Sequence, residues 1–249
     1  MMETRNYNEC KPTMKAVGAP VMSELYTDKK TLHLYHGNPD PDFKPFYGGG
    51  MSYHDYGKGL YCTEDQEQAK EWACQHVDIS TSYVYSYELD ITGLAPMLDL
   101  TEYLPVYWLS ALAQYRFDAK ESMARRERRE RFIRLFSIDC EKYETIRGWR
   151  ADDRYFAFLS AFLGMDISYE AVVQAMKLGD LGPQVVIKGK SAYSRNKEID
   201  KLVISGSEYM KYQTQYIDRD RLARDSLRQV RDIPGQMLDK ILENGGLLT

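Results

Sequence analysis

Two short segments, about 25 residues apart, carry residue types that together can bind a flat amide ligand. Tyr35-His36-Gly37 contains a glycine, whose backbone can offer one donor and one acceptor at a distance that a side chain would prevent. The second segment is Gly57-Lys58-Gly59-Leu60-Tyr61, in which the Tyr61 ring can stack on an aromatic group. Such stacking contributes about 0.5–1.5 kcal/mol beyond the buried area. Taken singly, the His-Gly pair is also typical of a strand end and the tyrosine of a core.

The sequence predicts that strands position both segments. Residues 31–35 alternate between apolar and polar types and favour a strand that ends at His36-Gly37. Further strands are predicted at residues 59–62, 83–89 and 185–187, with weaker signals at 201–205 and 212–217. Thr63 and Gln66 have the spacing of a capping box, which places Thr63 at the N-cap of a helix.

The middle of the chain is predicted to be helical, so the expected fold class is α+β. We expect one domain over residues 1–249, with a loose N-terminal arm at residues 1–27 and a helical insertion at residues 101–178. Within this insertion, the charged block from Arg125 to Arg131 favours a solvated helix face whose charges pair with each other.

Composition excludes several classes of protein. The net charge is -4, so there is no overall basic field that would attract nucleic acid. The four cysteines lack the spacing of a disulfide scaffold or a metal site, and no apolar run approaches the roughly 18 residues of a membrane helix. We therefore expect a reduced, cytoplasmic protein without a metal and without membrane association.

The two segments resemble the nicotinamide pocket of the ADP-ribosyltransferase superfamily, of the diphtheria-toxin and poly(ADP-ribose) polymerase type. The stretches LYHG, DYGKGLYCT, AKEWA, GWRADDRYFAF and KLGDLGPQVVIK are also similar to a bacterial family of uncharacterised domains grouped with these transferases. The resemblance covers roughly residues 32–188 and implies a split fold of two small packed sheets. It implies NAD as co-substrate, with Gly37 binding the carboxamide, His36 bonding a ribose hydroxyl and Tyr61 stacking on the nicotinamide.

The same resemblance points to the remaining candidates. Members of the superfamily place a glutamate at the start of a late strand, where the matching residue here is Gln184. An amide can orient a ribose but cannot act as a general base. Either Gln184 only orients, or a carboxylate elsewhere carries the charge, with Asp152 and Asp153 as candidates. Arg150 would suit the NAD pyrophosphate. The run from Arg150 to Asp153 equally fits an N-capped helix in which the acidic residues pair with the arginine.

These features predict an NAD-dependent ADP-ribosyltransferase. The resemblance to the bacterial family implies a toxin or phage-defence effector with a possible antitoxin partner. Arginines and abundant tyrosines favour a nucleic acid over a protein as acceptor. The alternatives are an NAD glycohydrolase, for which water is the acceptor, and an inactive binding module, which the absent glutamate favours.

Overall fold

The computed structural model describes residues 26, 29–151, 153–179 and 182–248. Most of the predicted N-terminal arm and Asp152 therefore lie outside the described residues. Tyr26 is described: its side chain is buried, and its hydroxyl donates a hydrogen bond of 2.7 Å to Glu64.

The described residues form seven strands in two small sheets. The strands are β1 (Thr31–Asn38), β2 (Leu60–Cys62), β3 (Thr81–Asp90), β4 (Leu98–Asp99), β5 (Thr145–Trp149), β6 (Pro183–Ile187) and β7 (Asn196–Ser205). Sheet one has the order β1-β3-β7 and sheet two the order β2-β6-β5-β4; all neighbours are antiparallel except β4 and β5. An isolated bridge between Tyr35 and Thr63 connects the edge of sheet one to the end of β2.

In the described part of the chain, eight α-helices surround the sheets. They are α1 (Gln66–Ala73), α2 (Pro105–Tyr115), α3 (Met123–Phe136), α4 (Asp153–Leu163), α5 (Tyr169–Gly179), α6 (Lys190–Ser194), α7 (Gly206–Val230) and α8 (Leu238–Glu243). None of the described helices combines the length and the apolar character that crossing a membrane requires.

The two sheets pack on each other, and helices cover their outer faces. Between the sheets, Leu34 and Leu89 of sheet one share a core with Leu60 and Val185 of sheet two. On the other face of sheet one, α1 and α7 pack against Val84. The outer face of sheet two carries the largest apolar core, to which α2, α3, α4, α5 and α8 contribute. The α+β class predicted from the sequence is confirmed.

Three local expectations need correction. Residues 101–178 are not helical throughout, because β5 interrupts them and lies inside sheet two between β6 and β4. The N-cap of α1 is Asp65 rather than Thr63: the Asp65 carboxylate accepts from the Glu67 N–H at 2.8 Å, while Thr63 bridges to β1 instead. Residues 212–217, a weak strand candidate, lie within α7.

Candidate functional site

The two predicted segments meet where the two sheets meet. The backbone of Tyr35 exchanges two hydrogen bonds with Thr63, of 2.8 and 2.9 Å, so β1 and β2 are joined at this point. One residue further along β1, His36 Nδ1 lies 2.7 Å from the Tyr61 carbonyl oxygen. A carbonyl only accepts, so Nδ1 carries the proton of the neutral ring and donates it to this bond. His36 and Tyr61, identified separately in the sequence, are therefore in direct contact.

The environment of His36 keeps its ring neutral. Its other nitrogen, Nε2, lies 3.2 Å from the Asn38 side-chain nitrogen, and its ring stacks on Phe43 with centroids 4.6 Å apart. Burial lowers the pKa of His36 below the ordinary 6.5, although the bond to Tyr61 opposes this shift. Since Nε2 already faces Asn38, a ribose hydroxyl could bond His36 only by replacing or sharing that contact.

Gly37 follows the bridge between Tyr35 and Thr63, and its backbone N–H and C=O point to the same side of β1 as that bridge. Backbone N–H and C=O groups of a strand alternate in direction, and those of Tyr35 point away from β3 toward Thr63. Those of Gly37, two residues later, therefore point away from β3 as well. None of the described residues bonds them on that side.

The absence of a side chain at Gly37 has its own structural cause. A Cβ at this position would lie 2.3 Å from the Ala69 carbonyl oxygen and 2.5 Å from the Ala73 nitrogen, both in the backbone of α1. Glycine is required here because α1 packs directly on β1.

Tyr61 holds the loop that precedes it. Its hydroxyl donates to the Gly57 carbonyl at 2.6 Å and accepts from the Tyr56 N–H at 2.9 Å. Its ring meets the His54 ring edge to face, with centroids 5.2 Å apart. Burial raises the pKa of the Tyr61 hydroxyl well above its ordinary value, and the charge of Asp55 adds to this shift. The hydroxyl therefore stays neutral and keeps both hydrogen bonds.

Gln184 shares a sheet face with Tyr61. Tyr61 pairs with Val186 across β2 and β6, and Gln184 lies two residues before Val186, so both side chains project from the same face. Gln184 is 3% exposed, and its Nε2 donates to Asp55 Oδ2 at 2.8 Å and more weakly to the Trp149 carbonyl at 3.4 Å.

Asp55 is the carboxylate that the sequence analysis missed. Its side chain is 9% exposed and accepts three hydrogen bonds, from the Gln184 amide, from the Ala151 N–H at 2.8 Å and from Arg116 Nη1 at 3.0 Å. The one signal in the sequence is its place directly before Tyr56-Gly57. Its contact with Gln184 spans 129 positions, which no local pattern reports.

Arg150 follows β5 at the end of sheet two where β6 begins, close to Gln184. Trp149 pairs with Pro183, and the Arg150 N–H donates to the Gly182 carbonyl at 3.4 Å. The guanidinium of Arg150 lies 4.5 Å from the centroid of the Trp72 ring on α1. Asp152 lies outside the described residues, and the side chain of Asp153, at the start of α4, is not described.

The arginine block on α3 pairs differently from the expectation. Arg125 donates to the Ser160 carbonyl at 2.9 Å and Arg128 to the Leu163 carbonyl at 3.0 Å, both on α4. Arg129 forms an ion pair of 2.7 Å with Glu121, outside α3. The prediction of a self-paired solvated face is therefore wrong for these three arginines: Arg125 and Arg128 bond to α4, and Arg129 is buried against Glu121. Arg126 and Arg131 remain exposed.

The remaining candidates for chemistry in the described residues are cysteines and clusters of metal ligands. Cys62, Cys74 and Cys140 are buried free thiols, and burial raises the pKa of Cys74 and of Cys140 to about 12. Across the described residues, no group of three or more His, Cys, Asp or Glu side chains is arranged to hold a metal ion.

Comparison with known proteins assigns the chain to a family without assigning a function. No curated protein and no solved structure matches it. A family model described as "Protein of unknown function (DUF3990)" matches residues 32–197, from β1 to the start of β7 and thus more than half of the chain. The region contains every described site residue named above, and the protein therefore belongs to the DUF3990 family.

Proposed function

We propose that this protein is an NAD-dependent ADP-ribosyltransferase whose two sheets form the split fold of that superfamily. The observation that carries the proposal is the hydrogen bond of 2.7 Å between His36 and the Tyr61 carbonyl. It joins the two segments that resemble the nicotinamide pocket, which are 25 positions apart in the chain. Chance occurrence of two short motifs would not require them to meet at the junction of the two sheets.

The arrangement of Gly37 is consistent with a carboxamide site. Its N–H and C=O point away from β3 and together offer one donor and one acceptor, as a carboxamide requires. Gln184 and Arg150 lie at one end of sheet two, where they would contact the ribose and the pyrophosphate of the same dinucleotide.

In the proposed reaction the bond between C1′ of the ribose and N1 of the nicotinamide breaks. Its electron pair leaves with the nicotinamide, which becomes neutral. A lone pair of the acceptor captures the sugar cation, and the proton that the acceptor releases passes to solvent. Negative partial charges near C1′ favour this transition state. The neutral His36 and the backbone of Gly37 bind and orient the dinucleotide and take no proton.

NAD binding tests the proposal most directly. Titration calorimetry with NAD should detect binding by the wild type, and His36→Ala should bind about tenfold more weakly, as expected for the loss of one or two hydrogen bonds. His33→Ala is the matched control: this histidine lies on the same strand with a side chain that is 62% exposed. No binding by the wild type, or equal losses in both variants, would contradict the proposal.

The acceptor is a separate question. We infer a nucleic acid, with the toxin or defence role that such modification implies. Mass spectrometry of RNA, DNA and protein after expression should find an added ADP-ribose on nucleic acid. Replacing the exposed Arg126 and Arg131 with glutamine should also flatten the salt dependence of binding. An ADP-ribose found on protein alone would reject this acceptor.

An inactive binding module is the alternative at the same site, and Gln184 is the observation that favours it, because an amide cannot act as a general base. Labelled NAD separates the functions. An inactive module leaves NAD intact, a glycohydrolase releases free ADP-ribose and labels no macromolecule, and a transferase labels its acceptor.

A further inference from the structure

Asp55 lies in the loop between β1 and β2 and is bonded to the start of β6. Its Oδ2 accepts from Gln184 Nε2 and from the Ala151 N–H, each at 2.8 Å, and its Oδ1 accepts from Arg116 at 3.0 Å. Three donors around one carboxyl group match an ionised carboxylate, which only accepts hydrogen bonds.

These contacts fix which way the Gln184 amide points. The oxygen and nitrogen of an amide are assigned from their partners, and here both neighbours of Nε2, the Asp55 carboxylate and the Trp149 carbonyl, are acceptors. The amide oxygen Oε1 must therefore point away from them. Of the residues that the structure describes, none donates a hydrogen bond to Oε1.

The charge of Asp55 reaches the rest of the site. Burial raises the pKa of the Asp55 carboxyl above its ordinary value, while Arg116, the Ala151 N–H and the Gln184 amide oppose the shift. Asp55 also contributes to the raised pKa of Tyr61, after burial itself. An amide that donates to a carboxylate is polarised, and this polarisation leaves more negative charge on its oxygen.

We propose that Asp55 is a positioning residue that orients and polarises Gln184, so that Gln184 Oε1 accepts a hydrogen bond from a ribose hydroxyl of the bound dinucleotide. The pair then supplies, across two side chains, the negative field that the superfamily obtains from one glutamate. This inference rests on the proposed function for its ligand. The role of the pair is to bind and orient, and it involves no proton transfer.

If Asp55 and Gln184 act as a pair, replacing Gln184 with the glutamate that the superfamily has should not simply raise activity. In Gln184→Glu, two carboxyl groups would lie about 3 Å apart, and one would keep a proton at neutral pH because two like charges so close cannot both ionise. Exchanging the two residues, Asp55→Asn with Gln184→Glu, restores one carboxylate and one amide that can bond each other. The new amide N–H then faces the Ala151 N–H, so we expect partial recovery. The exchange therefore separates a positioning role from simple packing.

The experiment measures kcat and KM for NAD cleavage across pH in the wild type, Asp55→Asn, Gln184→Glu and the exchanged double variant. We expect kcat/KM to fall about ten- to hundredfold in Asp55→Asn, the loss of one hydrogen bond to a charged group. Gln184→Glu should gain activity only toward alkaline pH, and the double variant should recover part of the activity at neutral pH. Asp42→Asn, an exposed carboxylate of the same loop, is the matched control and should match the wild type.

The inference is overturned if Asp55→Asn has the same kcat/KM as the wild type. It is also overturned if the kcat/KM of the double variant does not exceed that of either single variant. If Asp55→Asn does not fold, Gln184→Met replaces it, because this change removes Oε1 and leaves Asp55 bonded to Arg116 and Ala151. We then expect the same ten- to hundredfold fall in kcat/KM. A kcat/KM equal to that of the wild type overturns the inference.

A second measurement keeps this test apart from the proposed function. The side-chain amide protons of Gln184, followed by NMR without any ligand, should exchange with water at least about tenfold more slowly in the wild type than in Asp55→Asn, because the hydrogen bond protects them. Equal exchange overturns the pair even if NAD binds. If exchange is slow but the wild type does not bind NAD, the positioning of Gln184 by Asp55 is supported and only the dinucleotide ligand is rejected.

Discussion

Gly37→Ala tests whether the contact between β1 and α1 requires a glycine. The added methyl group would lie 2.3 Å from the Ala69 carbonyl oxygen, against about 3.4 Å for an ordinary contact, so α1 would have to move by about 1 Å. Overpacking of this kind costs about 1–3 kcal/mol. For a chain of this length, about 2–4 °C is lost per kcal/mol, so the melting temperature should fall by about 2–12 °C.

Thermal unfolding followed by circular dichroism measures this fall.

A second variant identifies the atoms that clash. Because Gly37 approaches backbone atoms of α1, trimming Ala73 to glycine should not rescue Gly37→Ala. A melting temperature unchanged in Gly37→Ala, or restored by Ala73→Gly, would refute the reasoning.

Three further predictions concern the site and its support. Tyr61→Phe should lower the free energy of unfolding by about 1–3 kcal/mol in urea, since a loop N–H loses its acceptor, whereas the exposed Tyr53→Phe should not. Because burial lowers the pKa of His36, the unfolded chain binds its proton first, near the ordinary pKa of 6.5. The free energy of unfolding should therefore fall as the pH drops below about 6.5, and it should fall less in His36→Gln. Urea titrations on both sides of that pH measure the difference. Arg147→Met should cost about 3–5 kcal/mol in the same assay, because it leaves the fully buried Asp99 without its ion pair of 3.2 Å; a loss below about 1 kcal/mol would contradict this.

Local patterns predicted the elements that carry the site. Alternation over residues 31–35 and 83–89 identified β1 and β3, and a short apolar run at residues 185–187 identified β6. These patterns are reliable because a strand buried on one face must alternate and one buried on both must be apolar. They failed for β5, where Arg147 and Gly148 break the apolar run, and for residues 212–217, where packing of α7 overrides strand propensity.

The sequence by itself determined which residues are candidates for the proposed dinucleotide pocket, because two of its segments resemble known motifs and occur in the same order along the chain. Only the tertiary structure decided that His36 meets the Tyr61 carbonyl, that Gly37 faces the backbone of α1 and that Gln184 is bonded to Asp55. Such contacts depend on how β1 docks on β2 and α1, and on how the loop between β1 and β2 docks on sheet two. That docking is a sum of many small packing terms between distant segments, and no periodicity within one segment records it.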